Sequence, residues 1–218
     1  MDVFYSIVGF FGSGGIFMYP ILIVFAVGTA IAIERFMTLQ AITAKNESAW
    51  NTLQPLLNNG DFDKARELAS KEESVMARIL NLGLALQGAV RRREDVEIAM
   101  EEGMIEVIPQ LEKRTPYVAL ASNIATLLGL LGTIMGLIQA FTAVANANPA
   151  EKADLLSASI SVAMNTTAFG LMVGIPLLIV HAILTTKTNE IVDGLEMASV
   201  KALSVITSRA RRQAEVSV

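Results

Sequence analysis

Two long apolar stretches of the chain carry hydroxyls, amides and glycines that a plain membrane anchor would not need. In the first, Ser122, Asn123, Thr126, Gly129, Thr133 and Gly136 fall close to one helical stripe. In the second, Ser159, Asn165, Thr166, Thr167, Gly170 and Gly174 cover a broader polar or small face. Hydroxyls and an amide can hydrogen-bond water or a partner's ionisable group, but they cannot carry net charge by titrating near neutral pH. Intramembrane carboxylates mark proton relays, and neither stretch contains one. If the chain conducts protons, the titrating carboxylate must come from another chain. A plainer use fits the same residues at least as well. Gly132-x-x-x-Gly136 and Gly170-x-x-x-Gly174 are small-xxx-small patterns that let helix backbones approach closely, so the stripes can serve packing alone.

Other chemistry has little footing. The absence of cysteine excludes disulfides, thiolate metal sites and cysteine nucleophiles. No Walker loop, HExxH, GxSxG or dinucleotide fingerprint is present, and no pair of acids is placed for work inside a pocket. No catalytic residue, metal site or cofactor is therefore expected. His181, the only histidine, lies near the end of the third apolar stretch and reads as an interfacial polar residue. Glu34 reads as a local ion-pair partner of Arg35 or a nearby loop residue. Arg91-Arg92-Arg93 reads as a solvated patch that can touch anionic lipid, too short and isolated for nucleic acid.

These stripes must be held by spanning helices, and the charge distribution marks three. Asp, Glu, Lys and Arg are absent between Asp2 and Glu34, between Arg114 and Glu151, and between Asp154 and Lys187, gaps of 31, 36 and 32 residues. A hydrocarbon core about 30 Å thick needs only about 20 apolar helical residues. The first gap lacks the basic n-region and short apolar core of a signal peptide, so it is expected to remain as a span. Of the 17 basic residues, 11 lie between Arg35 and Arg114, 5 follow Thr186, and only Lys152 lies elsewhere. Basic residues stay cytoplasmic. The expected layout is therefore an outer segment at 1–15, a span at 16–34, a cytoplasmic region at 35–114, a span at 115–145, an outer loop at 146–154, a span at 155–186 and a cytoplasmic tail at 187–218.

The cytoplasmic region is expected to be helical. A turn at Asn58-Asn59-Gly60 precedes a helix whose first turn holds Asp61 and Asp63, and an apolar segment runs from Val75 to Val90. Val96, Met100, Met104, Val107 and Leu111 recur at three- and four-residue steps. That helix is expected to run from about Arg93 to Ala145, kinked but not ended at Pro109 and Pro116. The tail carries a stripe of Ile191, Leu195, Ala198 and Ala202. The fold class is thus an all-α integral membrane protein with three transmembrane helices, a long second helix extending into the cytoplasm and a helical cytoplasmic loop.

Three motifs carry a family resemblance. Thr115-Pro116-Tyr117 with Leu127-Leu128-Gly129-Leu130-Leu131-Gly132-Thr133-Ile134-Met135-Gly136 resembles the second-span signature of the MotA/TolQ/ExbB proton-channel family. Asn165-Thr166-Thr167-Ala168-Phe169-Gly170-Leu171-Met172-Val173-Gly174-Ile175-Pro176 resembles its third-span signature, and Ile33-Glu34-Arg35-Phe36 the end of its first. The likeness covers nearly the whole chain and is closest to ExbB/TolQ-like subunits. It implies a homo-oligomeric ring, typically a pentamer, around the spans of an ExbD/TolR-like dimer whose membrane Asp is alternately protonated. It also implies a place in the bacterial inner membrane, coupling of the proton gradient to work in the envelope, and a TonB- or TolA-like effector beyond. Family pore threonines map onto Thr133 and Thr167, with Thr166 a neighbouring candidate and Asn165 and Thr126 assisting. One departure is Val162, where ExbB-like chains often carry an acid. The long MotA-type cytoplasmic region is also absent, which disfavours a flagellar stator. The alternative from another class is a non-conducting scaffold whose polar faces only pack.

Overall fold

A computed structural model describes residues 14–86 and 93–216. Every element among them is helical: α1 is Met18–Asn59, α2 Phe62–Lys71, α3 Val75–Ala85, α4 Arg93–Glu112, α5 Thr115–Asn146 and α6 Lys152–Val216. Three runs are long and apolar enough to cross a membrane: Met18–Asn59, Arg93–Ala145 and Lys152–Ser208. Most of the outer segment, together with Arg91, Arg92 and the end of the apolar segment at 87–90, lies outside the described residues.

The long second helix is present, but Lys113 and Arg114 divide it into α4 and α5. Arg114 adopts a left-handed conformation, with φ 67°. Pro116 lies in the first turn of α5, where its missing N–H goes unneeded, and in an unbroken helix its ring would clash with the carbonyl four residues back, that of Glu112. Pro109 lies inside α4 and Pro176 inside α6 without ending either. Glu34 pairs with Arg114 at 3.6 Å, a loop residue at the far end of the 35–114 region.

The chain divides into two compact units. The first comprises the chain to Arg35 and Arg114–Ile183. Small and medium side chains make up much of its interior, among them Ala121, Ala125, Ala140, Ala163, Val118 and Val173, with Met18, Ile21 and Leu177 also buried. Large apolar side chains point outward instead, including Tyr19, Leu127, Phe141, Met172 and Ile179. An inverted exterior of this kind is what lipid as a solvent requires.

The second unit, Phe36–Lys113 with Leu184–Val218, has an ordinary apolar core. Val96, Met100, Val107 and Leu111 of α4 are buried, as are Ile191, Leu195, Ala198 and Ala202 of α6. Met104, on the same α4 stripe, is half-buried. The turn before α2 closes at Gly60, whose φ of 78° suits glycine. The first turn of α3 has two otherwise orphaned donors satisfied: Ala77 N–H donates to Ser74 Oγ at 3.1 Å and Met76 N–H to Asn46 Oδ1 at 3.1 Å. On the surface of α2, Lys71 Nζ donates to Glu67 at 2.6 Å. That bond, reinforced by the ammonium's charge, holds the Glu67 carboxyl below its usual range.

Candidate functional site

Helices α5 and α6 cross at their glycines. A methyl group added at Gly170 would lie 2.7 Å from the Ala125 carbonyl oxygen and 2.9 Å from Gly129 Cα. One added at Gly129 would lie 3.1 Å from Gly170 Cα. Only glycine at both positions allows the two backbones to touch. Gly136 abuts Ala163, and Gly132 abuts the methyl of Thr166. These contacts are within one chain, so the glycine stripes do pack α5 on α6.

That close approach brings Thr133 and Thr167 together. Their hydroxyls are hydrogen-bonded to each other across the helix pair. Thr167 Oγ1 also lies 2.8 Å from the Gly129 carbonyl oxygen and Thr133 Oγ1 3.2 Å from the same atom. Three contacts share two hydroxyl protons. One hydroxyl must donate to the other, whose own proton then goes to Gly129 O; reversing both protons gives a second arrangement. Each hydroxyl keeps acceptor capacity, and both side chains are half-buried rather than enclosed. Such a pair can take a proton on one oxygen while releasing one from the other, and end neutral.

The remaining candidates are placed differently. Thr166 is buried, its hydroxyl donating to the Gly14 carbonyl or to Val162 O at 3.0 Å, so it ties the segment before α1 to α6. Asn165 is half-buried beside it. Thr126 lies two helical turns from Thr133 and donates to Ser122 O at 3.1 Å, while Ser122 Oγ donates to Gly174 O at 2.6 Å. His181 is half-buried and far along α6 from the threonine pair. The Gly129 carbonyl as shared acceptor is a part of the site that sequence reading missed. Every residue has a carbonyl; the only hint was a glycine that leaves one uncovered. No group of three His, Cys, Asp or Glu that could hold a metal occurs among the described residues.

The sequence profile of the MotA/TolQ/ExbB proton channel family matches residues 71–197, a range that contains the threonine pair and the glycine crossing. An ExbB homologue of Methanothermobacter thermautotrophicus, described as a biopolymer transport protein, is 29% identical over 207 residues, covering 90% of this chain and 69% of its own. An ExbB-like protein of Synechocystis is 28% identical over 168 residues, 77% of this chain and 79% of its own. The Tol-Pal system protein TolQ of Haemophilus influenzae is 32% identical over 93 residues, 43% of this chain and 40% of its own.

Proposed function

The chain belongs to the MotA/TolQ/ExbB proton channel family and is a multi-pass inner-membrane subunit of proton-channel-type energy transduction, and on that premise we propose how it works. It forms a ring, a pentamer, around the spans of an ExbD/TolR-like dimer whose single membrane Asp is the titrating group. Thr133 and Thr167 line the path beside that carboxylate and relay its proton. Passage of protons drives ring against partner and couples the proton gradient to work in the envelope, through a TonB- or TolA-like effector. The segment at 1–15 and the loop at 146–154 face outward, and the region 35–114 and the tail 187–218 face the cytoplasm; the 16-to-1 split of basic residues supports this orientation.

The observation that carries this reading is the bonded pair Thr133–Thr167 on the shared Gly129 carbonyl, set between spans with no Asp, Glu, Lys or Arg of their own. Such a pair can pass a proton but cannot hold one, so it needs a carboxylate from outside. The scaffold alternative has its own support, because the glycine crossing is packing within the chain.

Thr133→Val and Thr167→Val separate the two. Valine keeps the shape, and losing a net hydrogen bond costs only about 0.5–1.5 kcal/mol. The ring should assemble while proton flux into proteoliposomes holding the native complex is abolished. Wild-type flux in both variants would hand the site to the scaffold reading.

A further inference from the structure

Beside the Ser122–Gly174 contact a groove of about 360 Å³ opens on the α5–α6 face, lined by Ser122, Asn123, Thr126 and Leu127 on one side and Gly174, Ile175 and Leu178 on the other. Asn123 is exposed there, eight residues into a spanning helix, about 12 Å of rise from Thr115. An amide facing hydrocarbon with no partner costs several kcal/mol, so Asn123 calls for a hydrogen-bonding partner at the groove's rim. The groove's remaining hydrogen-bonding capacity is suited to water. The Ser122 and Thr126 hydroxyl protons are committed to Gly174 O and Ser122 O, which leaves their lone pairs as acceptors. Asn123 supplies both donors and an acceptor. Gly174 keeps the floor open, because a methyl there would lie 2.5 Å from Thr126 Oγ1.

We propose that this groove is the water-filled inner mouth of the proton path, with Asn123 at its rim, through which protons leaving Thr133 and Thr167 reach the cytoplasm. The inference rests on the proton-channel reading above and places its release side. Thr126 and Thr133 are seven residues apart on the same face, about 10 Å along the helix. The seam between them is closed by the Gly129–Gly170 contact, so no water passes between the helices there. The proton leaves the threonine pair on a water or on the partner's carboxylate along the open face, enters the groove as hydronium, and is handed from water to water to the cytoplasm. No groove residue changes charge, and one proton is released for each taken up.

The cysteine-free chain allows a direct test. In inside-out vesicles carrying the native complex, Asn123→Cys should react with a charged, membrane-impermeant methanethiosulfonate. Thiolate forms only where water reaches, so its rate should fall within about tenfold of exposed Lys45→Cys, and Leu120→Cys, apolar and exposed, should be at least about a hundredfold slower. Asn123→Leu should lower proton flux at least tenfold with the ring intact, and Asn123→Ser should retain it. An unreactive cysteine at 123, or wild-type flux in Asn123→Leu while Thr133→Val is dead, overturns the groove and leaves the channel reading standing. Wild-type flux in Thr133→Val and Thr167→Val removes that reading and this inference with it.

Discussion

Gly170→Ala tests whether the backbone crossing positions the threonine pair. The added methyl would lie 2.7 Å from the Ala125 carbonyl oxygen, against about 3.4 Å for ordinary contact. Both nearest neighbours are backbone atoms, so no rotamer change relieves the clash and α5 and α6 must separate locally by about 0.7 Å, the difference of those distances. The 2.8 Å contact between Thr167 and Gly129 O would stretch to about 3.5 Å, where a hydrogen bond is largely lost. Overpacking costs roughly 1–3 kcal/mol, with rigid backbone on both sides placing this case at the top of the range. Alanine's better helix propensity returns up to about 1 kcal/mol. The expected net loss is about 2 kcal/mol, read as a lowered thermal midpoint in detergent, together with reduced proton flux. Gly194→Ala is the control. Nothing lies within 4 Å of a methyl there, so that variant should gain about 0.4–1 kcal/mol. Wild-type stability and flux in Gly170→Ala would refute the reasoning, as would an equal loss in Gly194→Ala.

Thr133 and Thr167 act as one unit, so Thr133→Val/Thr167→Val should conduct no worse than either single variant, measured as proton flux; graded, additive losses would point to separate roles. Asn46→Ala leaves the buried Met76 N–H without its acceptor and should cost about 1–3 kcal/mol. Asn46→Asp, which keeps an acceptor, should lose less; the check is a thermal melt followed by emission of Trp50, whose ring lines the same cavity as Asn46. Lys201 Nζ stands 5.8 Å from the Trp50 ring centroid, a contact of about 0.5–1 kcal/mol. Lys201→Ala should therefore shift Trp50 emission, which Lys201→Arg should largely restore.

The spans were legible because hydrocarbon tolerates no unpaired charge, and three gaps in the charge pattern mark them directly. The core faces of α4 and α6 were legible from helical spacing: Val96, Met100, Val107, Leu111 and Ile191, Leu195, Ala198, Ala202 are all buried. The break at Lys113-Arg114 was not, since a proline early in a helix can either kink a longer one or start a new one. Within the site, Thr166 and Thr167 are adjacent in sequence and about 100° apart on the helix. Which of them faces α5 depends on the rotation of α6, and that rotation is set by the Gly129–Gly170 contact, which joins residues far apart in the sequence. The structure turns Thr167 toward Thr133 and Thr166 toward Gly14. Asn46 carried no signal in the sequence, because its partner Met76 is reached only when the fold brings the two together across 30 residues.

Gentle affinity purification from native membranes, with mass spectrometry of what accompanies the chain, asks whether a second chain supplies the missing carboxylate. A small single-span protein with one Asp in its span should be recovered, in fixed ratio to a ring of this chain. A clean ring with no such protein, repeated under milder extraction, would contradict the proton-channel reading.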